Sequence, residues 1–444
     1  MEVTALPTGV YHFEKKSLQS RSRIHLRVEA DGNGLLLVNA NQAFHLNPTA
    51  TLMAFHLLQD KKQAEIIKSL INRYHVLKKD AEKDFTTFRH QFSELIEPNG
   101  ACPIHDLGVE ATAPFSHTPS APYRMDLALT YRCNNDCSHC YNDRARAHNE
   151  LSTNEWKNVL NQLWDVGIPH IVFTGGEPTL RKDLPDLIEH AESLGQITGI
   201  NTNGRMLKDA SFVKKLVQAG LDHAQITLES HREEIHDQIV NHPDSWKETT
   251  AGIRNALEQK LFVMTNTTLL QSNSPYLGET LDFLAELGVP TVGLNALIHS
   301  GRGASVQTGL GESKLEDLLV LAKEKTQKHD QRLIWYTPTQ YCHFDPVLLD
   351  LGVKGCTAAL YNMCIEPDGS VIPCQSYYQS LGKLSEKKWS DIWNDPLAIS
   401  LRERRNAPIQ CLPCPMFQEC GGGCPLAFEK MSPAPAAIHA DLPV

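Results

Sequence analysis

The sequence predicts an α/β protein: a partial (β/α)6 barrel of TIM type, preceded by a winged-helix-like domain and followed by a cysteine-rich domain. Three observations carry that prediction. From Arg124 to about residue 310, strand-like and helical runs alternate through six strands, which is the pattern of a parallel sheet or partial barrel. Residues 1–98 instead place short strands first and helices second. Of the 12 cysteines, only Cys102 precedes position 133; three then fall in one loop, and eight lie between Cys342 and Cys424.

Taken in order, the first domain opens with the strand-like runs "RIHLRVEA", "GLLLVNA" and "QAFHLN". Asp31-Gly-Asn-Gly34 is a hairpin signal between the first two, and Asn47-Pro48 opens the first of three helices, "PTATLMAFHLLQ", "KQAEIIKSLINRYH" and "KKDAEKDFTTFRHQFSELI". Residues 99–122 mix Pro, Ser, Thr and Ala without periodicity and read as a linker. The barrel is expected over 123–310. Its strands are "MDLALT", "HIVFTGG", "ITGINTNG", "HAQITLES", "FVMTNTTLL" and "TVGLNALI". Its helices begin with "TNEWKNVLNQLWDVG", for which Ser152-Thr-Asn-Glu155 supplies a capping box. A bridging segment, 311–345, contains the helix "LEDLLVLAKEKTQ"; the last domain, 346–444, starts with the short helix "PVLLDLG" and continues as loop around cysteines.

With 444 residues and 41% hydrophobic content, the chain can bury a substantial core. A net charge of -10 gives no overall attraction to nucleic acid or to an anionic membrane, so neither is expected as a partner. No apolar run approaches the roughly 20 residues that span a bilayer, and "MEVTALPTGVYHFEKK" has no basic segment followed by an apolar one. A cytoplasmic location is expected. In that compartment clustered thiols serve as metal ligands more often than as disulfides.

The central cluster is "YRCNNDCSHCY", with Cys133, Cys137 and Cys140 spaced CxxxCxxC directly after the first barrel strand. Thiolates are soft ligands for zinc or iron–sulfur clusters, and a structural zinc needs a fourth ligand. His139 would have to bend sharply onto the same ion as its neighbour Cys140. A cubane held by three cysteines instead leaves one iron with an open position for a small molecule.

With this spacing at the end of the first of six βα units, the chain resembles the radical SAM superfamily. The resemblance implies that the open iron binds S-adenosylmethionine (SAM), which one electron from a reduced flavodoxin or ferredoxin cleaves to methionine and a 5′-deoxyadenosyl radical. Further positions carry the likeness. "FTGGEPTLR" resembles the family's GGEP motif, so that Gly175, Gly176, Glu177 and Pro178 would meet the methionyl amine. Asn203 in "NTNG" ends the third strand, Thr227 and Glu229 in "TLES" stand where relatives contact ribose, Asn266 lies on the fifth strand, and Ile298 follows the sixth near the adenine. Functional groups of such a barrel gather at the C-terminal ends of its strands. No catalytic acid or base is identifiable.

A second likeness is to the SPASM extension of these enzymes, which holds two auxiliary 4Fe-4S clusters, making three clusters in all. Cys356, Gly369 and Cys374 fit C-x(12)-G-x(4)-C, and "CLPCPMFQECGGGC" fits CxxCxxxxxCxxxC. By that likeness Cys356, Cys364, Cys374 and Cys424 close the first auxiliary cluster, while Cys411, Cys414 and Cys420 hold the second. Relatives often supply one more cysteine, and none follows Cys424. Asp441, His439, water, substrate or an unassigned cysteine stand as alternatives for the fourth place, and a zinc knuckle competes with the cluster itself. Cys102 reads as a plain thiol; Cys342, in "YCHFD", as either a plain thiol or a redox or ligand residue. Sulfatase-maturing members carry Asp where this chain has Gln375, so that activity is not implied.

Residues 1–98 resemble the PqqD-like module that binds the leader of a ribosomal precursor peptide. The implied function is radical SAM modification of such a peptide by crosslink, thioether, epimerisation or related oxidation. Two other readings compete: a tetrapyrrole-modifying radical SAM enzyme of a haem pathway, and an iron–sulfur redox sensor that applies its winged module to DNA. The acids interleaved in "KKDAEKD" weigh against the last, because phosphate neutralisation needs several cations.

Overall fold

The computed structural model describes residues 6–16, 21–39, 42–96, 119–142 and 149–428. Cys102, most of the 99–122 linker, and the tail with His439 and Asp441 lie outside them. The chain forms two compact units: Met1–Tyr123 with Asn158–His170 and Ala191–Ile197, and Arg124–Lys157 with Ile171–His190 and Thr198–Val444.

In the first unit an antiparallel sheet runs in the order β1 (Gly9–Lys16), β2 (Arg21–Val28), β3 (Gly34–Val38), β4 (Gln42–Leu46). The last three match the expected strands; β1 is additional, pairing along its full length with β2 from Gly9↔Val28 to Lys16↔Arg21. Its charged end, "FEKK", hides the strand signal. Helices α1 (Pro48–Leu58), α2 (Gln63–Tyr74) and α3 (Lys78–Ile96) follow. The Asn47 side chain caps α1 by accepting from Ala50 N at 2.9 Å, as the Asn-Pro step predicts. Because strand side chains alternate, Ile24, Leu26 and Val28 enter a core with Leu36, Met53, Ile66, Phe85 and Phe88. Arg23, His25 and Arg27 occupy the opposite face of β2. That face is buried too: Arg23 pairs with Glu192 at 2.7 Å, His25 Nε2 lies 2.7 Å from Gly195 O, and Arg27 donates to Gly167 O and Pro122 O.

The second unit holds the sheet that positions the site. After β5 (Arg124–Thr130) come α4 (Thr153–Asp165), β6 (His170–Gly175), α5 (Leu184–Leu194), β7 (Ile197–Thr202), α6 (Ala210–Gln218) and β8 (His223–Thr227). The alternation continues through α7 (Glu233–Val240), α8 (Ser245–Glu258), β9 (Phe262–Thr268), α9 (Leu277–Glu286), β10 (Thr291–Asn295), α10 (Leu315–Lys328) and β11 (Arg332–Trp335). The capping box at α4 forms, with Ser152 N donating to Glu155 Oε2 at 2.7 Å. Strands β7 to β11 pair in parallel. The sheet is longer than the six expected strands. Its order is β11-β10-β9-β8-β7-β6-β5-β12-β13-β14, where β12 (Asn362–Ile365) joins parallel to β5, and β13 (Ser370–Ile372) and β14 (Gly382–Lys383) pair antiparallel beyond it.

One predicted helix is corrected. "PVLLDLG" forms turns, with Asp350 at φ +56° and Gly352 at φ +75°. Seven residues cannot offset the cost of nucleating a helix without a buried face, and Leu348 is 80% exposed. Beyond β14 the chain is mainly loop and short helix: α11 (Trp389–Trp393), α12 (Pro396–Arg402), α13 (Phe417–Cys420) and α14 (Pro425–Phe428).

Candidate functional site

A cavity opens at the C-terminal ends of the parallel strands. The loop after β5 forms one wall, contributing Cys133, Cys137, His139, Cys140 and Tyr141. Hydrogen bonds fix that loop from three sides. Asp136 N and Ser138 N donate to Val240 O and Ile239 O at the end of α7, at 2.9 and 3.1 Å; Arg302 N and Gly303 N both donate to Cys140 O; and Asn142 Nδ2 donates to Gly175 O. The Cys133 sulfur accepts from Asn135 N at 3.4 Å and from Asn203 Nδ2 at 3.8 Å. A thiolate receiving N–H donors is the form that binds iron.

The expected residues divide into two groups. Gly175, Gly176, Asn203, Thr227, Glu229, Asn266 and Ile298 all line the cavity with the three cysteines. Glu177 and Pro178 are buried and are not among its lining residues. The glycine pair is forced by packing: at φ +129°, a side chain on Gly175 would collide with Thr130 O, just before the cysteine loop. Glu177 turns inward. Its Oε1 accepts from Thr179 N, Thr179 Oγ1 and Thr202 Oγ1 at 3.1, 2.6 and 2.7 Å, and its Oε2 from Asn203 N at 2.8 Å. Burial holds its carboxyl above the ordinary range against the pull of those bonds. Through them Glu177 sets Asn203, whose side chain bonds Asn134 Oδ1 at 2.7 Å and faces the Cys133 sulfur.

Glu229 also does more than line the wall. Its Oε1 lies 3.1 Å from His139 Nε2, tying the fourth strand's end to the cysteine loop, and its Oε2 accepts from Thr268 N at 2.9 Å. His236 Nδ1 accepts from Glu229 N at 3.1 Å. Burial depresses the His236 pKa to about 4, so the ring is neutral at pH 7.

Sequence reading missed a set of carboxamides. Asn201, Gln225, Asn295 and Gln375 line the cavity beside Asn266, and Asn295 Nδ2 donates to Asn266 Oδ1 at 2.9 Å. Asn201 and Gln225 precede Asn203 and Thr227 by two residues, and that period-two spacing is the signal that marks them. Gln375 accepts from Tyr141 OH at 3.2 Å. No Lys or Arg occurs among the described residues lining this cavity.

The C-terminal cysteines form two groups. Burial raises Cys356, Cys364, Cys374 and Cys424, with Cys374 pushed up to about 12. Their thiols also act on one another: Cys356 raises Cys374, and both raise Cys424. Backbone N–H groups of Ser376 and Tyr377 approach Cys374, and those of Leu426 and Ala427 approach Cys424. Thiols this buried must lose their protons to a metal or stay inert. Among the described residues no three His, Cys, Asp or Glu are gathered closely enough to hold one metal ion. Of the tyrosines near them, Tyr378 donates to Tyr141 O at 2.9 Å and Tyr341 OH accepts from Lys354 N at 2.9 Å.

Comparison with known proteins places this geometry. The radical SAM superfamily model matches residues 127–284, and the SPASM iron–sulfur cluster-binding domain matches residues 356–415. A sequence relative, the Fe-coproporphyrin III synthase of Methanosarcina barkeri, is 28% identical over 335 residues, covering 68% of this chain and 83% of that protein. Streptococcus suis SuiB bound to its precursor peptide SuiA superposes with a TM-score of 0.70 at 17% identity, covering 95% of this chain and 97% of SuiB. The protein anSMEcpe with bound AdoMet and a peptide gives a TM-score of 0.55 at 16% identity, covering 68% of this chain and 89% of its own.

Proposed function

The chain is a radical SAM superfamily enzyme with a SPASM iron–sulfur domain, and from that premise we propose that it modifies a ribosomally made precursor peptide bound through its leader. The two domains imply a SAM-binding 4Fe-4S cluster and auxiliary clusters. When bound, the first cluster and SAM supply reductive cleavage of SAM to a radical that abstracts a substrate hydrogen, with the electron arriving from a reduced flavodoxin or ferredoxin. Cys133, Cys137 and Cys140 would hold that cluster. Gly175 and Gly176 leave backbone open to SAM, while Asn203, Thr227, Asn266 and Ile298 stand along the wall where it would lie. Asn203 is presented by Glu177, and the His139–Glu229 pair holds the loop against the strand ends. These residues orient the cofactor and exclude water, which is the protein's share of such chemistry.

The observation that carries the peptide reading is the N-terminal sheet-and-helix module. Strand β4 ends the four-stranded sheet, with no strand beyond it among the described residues, and α3 buries Phe85, Phe88 and Phe92 on one face. An extended leader can add to such an edge and lie beside the helix, which raises the effective concentration of the attached core peptide.

Its relative, the Fe-coproporphyrin III synthase, favours a second reading, decarboxylation or removal of propionate side chains on a tetrapyrrole. One experiment separates the two. Full-length protein, reconstituted anaerobically, is given SAM and dithionite with either a synthetic precursor peptide encoded beside the gene or iron tetrapyrroles that carry carboxylate side chains. Loss of two hydrogens from the peptide, or deuterium uptake at unchanged connectivity, supports the proposal. Loss of CO2 from a tetrapyrrole, with the peptide inert, overturns it.

A further inference from the structure

The second auxiliary motif offers three cysteines, and the fold brings a fourth to them from an unexpected direction. After β11, the chain crosses to the loop around α13. Trp335 Nε1 donates to Thr339 Oγ1 at 2.9 Å, and Thr339 N donates to Lys354 O at 3.0 Å, which fixes the turn. The next residues then enclose Cys420. Its Sγ lies 3.4 Å from Thr339 O and accepts from Tyr341 N at 3.4 Å, while Gln340 Nε2 donates to Gly422 O at 3.0 Å. Cys342 follows Tyr341 directly. The same turn carries the Cys411 sulfur, which would stand 3.6 Å from a Cβ added at Gly422, the residue held by Gln340, two positions before Cys342. Four thiols from two distant stretches of sequence thus converge.

We propose that Cys342 is the fourth protein ligand of the second auxiliary cluster, which is thereby fully held by cysteine. The proposal rests on the reading that Cys411, Cys414 and Cys420 bind such a cluster. On binding, Cys342 gives its proton to solvent and its thiolate displaces water from the remaining iron, so charge and atoms balance with no further reagent. This leaves no open iron at the second auxiliary site for substrate. Its role is then electron transfer, and the first cluster alone keeps an open position.

The exposure of Cys342 makes the proposal testable without an activity assay. An exposed, unligated thiol alkylates quickly; a ligated one does not. Full-length protein reconstituted anaerobically is treated with iodoacetamide before and after iron removal by a chelator, and the labelled cysteines are mapped by mass spectrometry. Protection of Cys342 together with Cys411, Cys414 and Cys420, lost on chelation, supports the proposal. Cys342→Ala should then lower iron from about twelve to about eight per chain, or keep twelve with an altered electron paramagnetic resonance signal that shifts further on adding imidazole. Rapid labelling of Cys342 in a protein whose other three cysteines stay protected overturns this assignment and leaves the cluster standing. Labelling of all four beside about eight irons, or zinc in place of iron, overturns both.

Discussion

The SAM-site half of the barrel and the auxiliary cysteine segment use opposite means to hold metal-binding loops. Around Cys133, Cys137 and Cys140 the scaffold is regular: strands end in a row, and the loop is pinned by backbone bonds from α7 and the Arg302–Gly303 turn. Asn203 and Arg205, on the turn after β7, add to this; Arg205 bonds Asn135 Oδ1 at 3.0 Å and pairs with Glu248 at 2.5 Å. From Cys356 to Cys424 the regular pieces are short, two to seven residues each. Elements of that length do not persist alone. Beyond β14, where the sheet ends, bound iron would supply what the sheet supplies elsewhere.

The largest effect that follows is selective. Removing iron should unfold the auxiliary segment and leave the barrel intact, because metal-binding free energy is folding free energy where no preformed scaffold exists. Hydrogen exchange on the chelated protein should show amides of 396–428 losing protection while β7 to β10 keep theirs. Equal protection throughout, or loss in both regions at once, would break the contrast.

A single buried carboxylate gives the next effect. Glu177→Ala leaves the donors of Thr179, Thr202 and Asn203 without their acceptor in a fully buried place, which costs about 3 kcal/mol. Cys411→Ser, tested on iron-free protein, should change stability by less than about 0.5 kcal/mol. Urea midpoints of the two variants measure the difference. Similar losses in both would mean that the auxiliary segment has a packed scaffold of its own.

The same contrast explains what the sequence revealed. Cys133 to Cys140, the glycine pair and the capping box at Ser152 are local patterns, and each is found where its spacing predicts. What stayed hidden depends on partners far along the chain. β12 is only four residues and becomes a strand by pairing with β5, more than 230 residues earlier. β1 carries too many charges to announce itself and is completed by β2. Glu177 looks from its motif like a cavity residue, yet its rotation toward Thr202 and Asn203 is set by a different strand. Cys342 stands 69 positions before Cys411, with no spacing to link them.

The smallest effect concerns the neutral histidine behind Glu229. His236 accepts from Glu229 N through Nδ1, and Ser245 Oγ lies 3.4 Å from its Nε2. Burial lowers its pKa to about 4; Glu229 and Asp237 oppose that shift and Arg205 adds to it. The unfolded ring takes a proton near pH 6.5 and the folded ring does not until about 4, so between those values the unfolded state binds more protons. Stability is therefore complete above pH 6.5 and falls as pH drops toward 4, by about 1.4 kcal/mol at pH 5.5 from this residue. His236→Gln keeps an acceptor for Glu229 N and removes the titration. Urea unfolding at pH 8 and pH 5.5 should show the wild type losing about 1.4 kcal/mol more than the variant. The fall should appear in probes of the barrel, where the folded state is held by neutral buried hydrogen bonds. An equal loss in the variant would mean that other groups, and not the ring that sets Glu229, govern the acid sensitivity of the SAM site.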